Sequence, residues 1–371
     1  MSINKIAKLL ISKHKINDSF YIVSMNKLNQ KIKNWNKYFP NIQPYYAIKS
    51  NPDINIIKYM INKGFGFDCA SKNEISTIIN AGSNKIIFSH PVKKVNDLLF
   101  ANKYNINNTT FDSLCEIHKI NKYAPNMNCL IRLKIDNNNA KVKLGLKYGV
   151  EENEYKQLID ECKKLNIKLN GVSFHVGSDN HDPYIFKNAL DYSNKVIEYA
   201  KINNYNIDII DIGGGFNKNN YIETSKVINK EIKNKKNKNI KYIAEPGRYF
   251  SEEIFTFFTP IVGIKEKNNY YNYWVTDSLY GSFNCIMYDH SNPSFEVIRH
   301  PMLDNNYSDK IYKSTIYGLT CDSLDVIKSN TELPKLRLND FLMVKNFGAY
   351  TLSGSCDFNG FPLSKPLIFY I

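Results

Sequence analysis

The sequence predicts an α/β protein: a TIM-like (β/α)8 barrel followed by a C-terminal antiparallel β domain. Three observations lead there. From about residue 44 to 250, eight short β-like runs alternate with helical stretches or turns, the content of a (β/α)8 barrel. After residue 250 the rhythm changes to aromatic and β-branched runs separated by turns, with few helical stretches. The chain has 371 residues, too long for one ordinary small domain and sufficient for a barrel plus a second unit.

Taken in order, the start "MSINKIAKLLISKHKI" reads as a short amphipathic helix interrupted by lysines, and "SFYIV" (19–23) as a lone strand that could join the second domain. The barrel strands are "YYAIK" (45–49), "FGFDC" (65–69), "IIFSH" (86–90), "TTFDS" (109–113), "CLIRLKI" (129–135), "NGVSFHV" (170–176), "IDIIDIG" (207–213) and "KYIAEP" (241–246). Between them, segments such as 53–63, 72–81, 154–165, 183–202 and 222–234 carry apolar residues at helical spacing. Ser71 and Glu74 in "SKNE" form the pattern of a helix-opening capping box. The expected division is a barrel over 25–250 and a β domain over 251–371, the latter built from "IFTFFTPIVGI", "YYNYWVTD", "SFEVIR", "FLMVKN" and "PLIFYI".

Composition excludes several classes. Hydrophobic residues make up 43% of the chain, enough for a full core, yet no run of about 18 apolar residues would cross a membrane. The N-terminus lacks the long apolar stretch and small-residue cleavage site of a signal peptide. The seven cysteines show neither CxxC pairs nor disulfide density, so reduced thiols in a cytosol are expected. No His/Cys cluster has metal-ligand spacing. The net charge of +14 invites a nucleic-acid reading, but the lysines are dispersed except at 230–241, "KEIKNKKNKNIK", where no aromatics interleave. A solvated helix end and loop is the expectation there, with no nucleic-acid partner. The Asn-x-Thr sequons at Asn107 and Asn108 are what chance gives so asparagine-rich a chain.

In such a barrel, chemistry sits at the C-terminal strand ends. Those ends carry Lys49, Asp68, His90, Arg132, His175 with Ser178, Gly213-Gly214-Gly215, and Glu245 with Arg248. Each has a bland reading alone. Lys49 could be a solvated strand-end lysine, His175 a hydrogen-bonded structural histidine, "DIGGGF" (211–216) a tight turn, and "AEPGR" (244–248) a mutual ion pair. As a set they converge on one mouth, which those readings explain poorly. A glycine loop lets backbone N–H groups approach an anion, a desolvated lysine is a nucleophile for an aldehyde, and a carboxylate can face a ring nitrogen. Together they suggest pyridoxal 5′-phosphate, whose ring absorbs electrons from a carbanion.

Eight motifs in order carry a resemblance: "YAIKSN", "GFDCASKNEI", "SFHVGS", "DIGGGF", "AEPGR", "YGSFNCIMYDH", "TCDSLD" and "GAYT…FNGF". From about residue 20 to 365 the chain resembles the eukaryotic-type ornithine decarboxylases, fold-type III pyridoxal-phosphate enzymes with an alanine-racemase-like barrel and a β domain. The resemblance implies that Lys49 carries the cofactor, Glu245 faces its ring nitrogen and His175 stacks on it. Ser178, Gly213, Gly214, Gly215, Arg248 and Tyr350 would hold the phosphate. Asp68 and Arg132 would line the same site, Arg132 organising the lysine end, with Glu74 just behind them. Family members are head-to-tail homodimers, so Cys321 and Asp322 of "TCDSLD" would come from the partner: Cys321 to protonate Cα after CO2 leaves, Asp322 to bind the substrate's distal amine. Without that motif Cys321 would read as a small buried hydrophobe.

Asp289 in "FNCIMYDH" is the specificity clue. A basic substrate tail needs a counter-charge in a partly desolvated slot. Ornithine decarboxylases have Asp at this position, whereas arginine-decarboxylating viral relatives have Glu in a shifted segment and diaminopimelate decarboxylases lack the motif. The resemblance therefore implies L-ornithine as substrate and putrescine as product. Lysine is only weakly excluded, since a methylene is worth about 1–3 kcal/mol. Asp289, Asp322 and Asp325 would give the mouth a negative field against the chain's overall positive charge, which salt screens over about 8 Å. Three departures stand out: "WGPTCDGLD" of the family reads "YGLTCDSLD", putting Leu319 for a proline and Ser323 for a glycine, and "VND" reads "VTD" at Thr276. The first two could move Cys321 and Asp322. The chain ends at "PLIFYI", without the tail that marks some relatives for rapid turnover. The alternatives are a lysine or arginine decarboxylase of the same fold, or a catalytically inactive regulatory homologue; the latter usually lose cofactor residues, and here they are present.

Overall fold

The computed structural model describes residues 1–136, 140–142, 145–234, 239–302 and 310–371; Lys235–Lys238 of the basic run lie outside them. Contacts divide the chain into two compact units, residues 31–250 and residues 1–30 with 251–371.

The strands in chain order begin with β1 (Phe20–Val23), which belongs to the second unit. The first unit holds β2 (Ile42–Ala47), β3 (Gly66–Cys69), β4 (Ile86–Phe88), β5 (Asn108–Phe111), β6 (Asn128–Leu133), β7 (Ala140–Val142), β8 (Lys168–Phe174), β9 (Ser178–Asn180), β10 (Ile209–Asp211) and β11 (Lys241–Ala244). Eight of these close a parallel barrel in the order β10-β11-β2-β3-β4-β5-β6-β8, while β7 and β9 form a separate antiparallel pair. All eight expected barrel runs are barrel strands. Inside, Ile87, Leu130 and Ile243 pack together with Tyr45 and Ile209 against them.

Three of the helices around the barrel start on side-chain caps. Asp53 accepts from Asn55 N and Ile56 N ahead of helix Ile54–Asn62. Ser71 accepts from Glu74 N, and Ser113 from Glu116 N, ahead of Lys72–Asn80 and Leu114–Tyr123, each satisfying an amide the helix leaves open. In the first of these, Glu74 reaches back to Ala70 N, one residue before the amide a standard capping box uses. Helices Val95–Lys103 and Leu114–Tyr123 were not singled out in the sequence. The former buries only Leu98 and Ala101, and the inner face of the latter carries the charged Glu116 beside Ile117 and Ile120.

One strand ends earlier than its apolar run. "YYAIK" stops at Ala47, and Ile48–Ser50 form a single 3-10 turn. Ser50 Oγ donates to Ala47 O at 2.8 Å and Tyr46 OH to Asn51 O at 2.9 Å, so side chains close the turn that carries Lys49.

The second unit continues with β12 (Phe255–Lys267), β13 (Tyr270–Val275), β14 (Glu296–Ile298), β15 (Ile311–Tyr317), β16 (Val326–Pro334), β17 (Phe341–Lys345) and β18 (Leu367–Tyr370). Its sheet runs β14-β17-β12-β13-β15-β16, and β1 lies between β12 and β18. Pairing is antiparallel except at β1–β18 and β13–β15. Phe20, Ile22, Phe258, Phe341, Met343 and Ile298 form its core with Ala7 and Ile11 of the amphipathic helix Ile3–His14. Among the described residues no helix is long and apolar enough to cross a membrane.

Candidate active site

At the C-terminal ends of the barrel strands, the turn after β2 presents Lys49, whose Nζ lies 2.8 Å from Asp68 Oδ2 at the end of β3. The two partners differ in setting. The Lys49 side chain is 40% exposed and that of Asp68 is fully buried, so the carboxylate is fixed and the amine can move. The other Asp68 oxygen accepts from the hydroxyl of Ser89, just past β4.

Across the mouth, Ser89, Thr110, Arg132, Ser173, Phe174, His175 and Glu245 line one small cavity. His175 Nδ1 accepts from Gly177 N at 3.0 Å, so the proton of the neutral ring sits on Nε2. Burial holds its pKa well below the usual value, with the positive charges of Arg132 and Lys49 adding to the effect. The Arg132 guanidinium lies 5.3 Å from the Tyr148 ring, a cation–π contact.

The glycine loop after β10 is locked to the neighbouring strand. Gly213 N donates to Asp211 Oδ1 at 2.9 Å, and Gly213 O accepts from Glu245 N at 2.7 Å. Gly213 has φ +62°, in the left-handed region. At Gly214 a Cβ would come within 2.7 Å of His175 Nε2 and 3.1 Å of Glu245 O. Only glycine lets the imidazole and that carbonyl approach the loop so closely. Beside the loop, Arg248 Nη2 donates to Ser178 Oγ at 3.2 Å.

Glu245 and Asp211 are both buried. Burial raises the Glu245 pKa well above the carboxylate range, followed by the charges of Asp211 and Asp68, against Lys49 and Arg132. Asp211 is pushed up to about 7, first by burial. Glu245 Oε1 has no hydrogen-bond partner among the described residues, a costly state for a buried acceptor.

The second unit gathers three segments far apart in sequence. Asp277 accepts from Ser278 N at 2.7 Å, Ser282 N at 2.7 Å and Ser282 Oγ at 2.8 Å, shaping "YGSFNC". The Tyr280 hydroxyl donates to Asp322 Oδ2, and its ring stacks on Phe358 with centroids 4.1 Å apart. Cys321 N donates to Asn359 Oδ1 at 3.1 Å. Thus "YGSFNC", "TCDSLD" and "FNGF" meet around Cys321 and Asp322. Cys321 is exposed, unlike a space-filling core cysteine. The Leu324 amide and the Tyr280 hydroxyl hold the Asp322 carboxyl below its usual range.

Leu319 N donates to Asp277 O at 3.1 Å, a bond that the family's proline, lacking an N–H, could not make. Asp325 is buried and accepts from Leu279 N, Thr320 N and Thr320 Oγ1, tying the loop from inside. Asp289 is buried at the end of the short helix Asn284–Tyr288. Tyr350 sits at φ +58°, uncommon for a bulky residue.

The barrel unit therefore brings together Lys49, Asp68, Arg132, His175, Ser178, Gly213–Gly215, Glu245 and Arg248, while Asp289, Cys321, Asp322 and Tyr350 belong to the β unit. Sequence reading passed over Ser89, Asp211, Tyr280 and Asn359. All four stand inside runs already marked ("IIFSH", "DIGGGF", "YGSFNC", "FNGF"). Only the pairing of strands and loops reveals what their polar atoms touch.

The barrel residues fit pyridoxal 5′-phosphate. The donor set offers a movable amine for its aldehyde, the bare Glu245 Oε1 for its ring nitrogen, and a neutral imidazole to stack on its ring. Arg248 and Ser178 lie next to a loop of backbone amides, a setting suited to phosphate. Among the described residues no group of His, Cys, Asp or Glu could hold a metal ion.

Comparison with known proteins agrees with this chemistry. Residues 25–252 match the family described as pyridoxal-dependent decarboxylase, pyridoxal binding domain. The ornithine decarboxylase of Schizosaccharomyces pombe is 33% identical over 357 residues, covering 94% of this chain and 82% of that protein. The crystal structure of the Paramecium bursaria Chlorella virus arginine decarboxylase is similar with TM-score 0.93 and 34% identity, covering 100% of both chains. Vibrio vulnificus lysine/ornithine decarboxylase, complexed with putrescine, matches with TM-score 0.89 and 26% identity over 100% of this chain and 99% of that one.

Proposed function

The chain belongs to the pyridoxal-dependent decarboxylases, and from that premise we propose that it converts L-ornithine to putrescine and CO2, a step of polyamine synthesis. Its cofactor is pyridoxal 5′-phosphate, which when bound supplies an electron sink for the pair left at Cα as CO2 departs. Lys49 holds the cofactor and, on release, returns to Asp68 as an ammonium. Glu245 would face the ring nitrogen and hold a proton there, which would relieve the carboxyl that burial otherwise disfavours as an anion. His175, kept neutral, would stack on the ring without adding charge. The glycine loop, Ser178, Arg248 and Tyr350 hold the phosphate, and Arg132 keeps the lysine end in order.

We assign the remaining roles to a second copy of the chain in a homodimer. Its Cys321 delivers a proton to Cα once CO2 has left, and its Asp322 takes the distal ammonium. Exposure supports this reading: Cys321 is exposed and Leu324, two residues past Asp322, is 73% exposed, an apolar side chain that a partner surface would cover. All seven cysteines are free, which suits the reducing cytosol where we place its action.

The observation that carries the substrate assignment is Asp289, a buried carboxylate at the end of helix Asn284–Tyr288, read with the ornithine decarboxylases that align along the chain. A second reading, arginine, is favoured by the full-length likeness to the viral arginine decarboxylase. Purified protein with added cofactor is assayed for CO2 release from L-ornithine, L-lysine, L-arginine and diaminopimelate side by side. The proposal expects ornithine to lead. Arginine leading would replace the substrate and keep the chemistry; silence on all four would leave an inactive regulatory homologue.

A further inference from the structure

The side chain that fixes Asp68 is Ser89, and nothing in the roles above uses it. Ser89 follows β4 and is buried, as is Asp68 at the end of the adjacent β3. Its hydroxyl donates to Asp68 Oδ1, while Asp68 Oδ2 takes Lys49 Nζ at 2.8 Å. The carboxylate is held between one neutral donor and one cation.

The backbone around Ser89 is clamped on several sides. Ser89 N donates to Cys69 O at 3.1 Å, next to Asp68, and Ser89 O accepts from Thr110 Oγ1 at 2.7 Å on β5. The following peptide is held by Lys93, whose Nζ donates to His90 O at 2.9 Å and Thr110 O at 2.7 Å and pairs with Glu116 Oε1 at 3.0 Å. Both partners of that ion pair are buried, so breaking it is costly. A hydroxyl on so rigid a segment is a pre-oriented donor rather than a free rotor. A buried carboxylate stays ionised and in one orientation only while its acceptor sites are satisfied.

We propose that Ser89 is a positioning residue for Lys49, acting through Asp68. With the hydroxyl present, Asp68 keeps one oxygen turned to the amine and holds it as an ammonium beside the mouth. Without it, Asp68 loses a donor and turns, and Lys49 loses that fixed counter-charge. This inference rests on the reading of Lys49 as the cofactor-bearing lysine.

The test uses the full chain with and without cofactor, as wild type, Ser89→Ala, Ser89→Thr and Lys49→Ala. In cofactor-free protein, acylation of Lys49 at fixed near-neutral pH is followed by peptide mass spectrometry; in loaded protein, kcat, KM and the visible band are measured, with melting temperature as a check on folding. The expected result is Lys49 acylation at least about threefold faster in Ser89→Ala, kcat about tenfold lower with KM little changed (about 1.4 kcal/mol in the barrier), and recovery of both in Ser89→Thr. Wild-type acylation and turnover in Ser89→Ala would overturn the inference. So would losses that track a fall in melting temperature and are not recovered by Ser89→Thr, because packing alone would then explain them. Turnover retained in Lys49→Ala would sink the parent reading instead, whatever Ser89 does.

Discussion

At the barrel mouth, Asp68, Glu245 and Arg248 are buried and stand at or just past strand ends, with their loops pinned by backbone bonds such as Glu245 N to Gly213 O at 2.7 Å. In the β unit, Cys321 is exposed and Asp322 partly so, on a loop tied from inside by Asp325 and touched at these two residues by Asn359 and Tyr280. A cofactor stays for many turnovers and rewards a rigid, pre-paired cradle. A substrate must enter and leave, and the groups that meet it tolerate exposure until another surface covers them. Barrel variants should therefore change how the cofactor is held, and loop variants should leave its spectrum alone and change the product.

The largest expected effect is Lys49→Ala, which should abolish turnover and the visible band together. Next is Glu245→Gln: kcat should fall about 100-fold or more, the scale of losing one pre-organised electrostatic partner, with the band still present. Cys321→Ala is the sharpest contrast between the regions. Its turnover should fall by about 100-fold and part of the product should be misprotonated, while cofactor affinity and spectrum stay as in wild type. An altered spectrum would break the division of labour. Gly214→Ala puts a methyl 2.7 Å from His175 Nε2, and cofactor affinity measured by titration should weaken about tenfold, roughly 1.4 kcal/mol, without changing the products formed.

The smallest effect is on stability. Asp211 is pushed up to about 7 by burial, against an ordinary value of 3.8. Between those values the folded chain keeps a proton that the unfolded chain releases. Its contribution is thus fully present below the ordinary carboxylate range and is lost as pH rises through about 7. Melting of the cofactor-free protein should therefore show a downward slope across that window, and Asp211→Asn should flatten it. An equal slope in the variant would remove Asp211 as its source.

The barrel was legible because its strands are buried on both faces and stand out as short apolar runs between helical stretches; "IIF" and "FDC" need no alternation to be seen. The same apolar continuity hid the end of β2: Ile48 extends the run, yet Ser50 and Tyr46 close a 3-10 turn through side-chain bonds no periodicity reports. Lys49, the glycine loop and "AEPGR" were legible as chemistry because their residue types are reactive in themselves. Ser89 was not, since a serine acquires a role only from what strand pairing sets beside it, here Cys69 O and Asp68 on β3. Asn359 lies 38 residues from the Cys321 amide it holds, and Asp325 reads as one more negative charge until its three hydrogen bonds turn it into an internal tie. Leu319 looked like a loss of rigidity, yet its amide makes a bond a proline would forgo.

The central claim, a cofactor carried by Lys49 in the barrel mouth, is tested most directly by reducing the loaded protein with borohydride and mapping the labelled peptide. The account predicts one pyridoxyl group per chain, on Lys49. A label on any other lysine, with Lys49 unmodified in active protein, would contradict it.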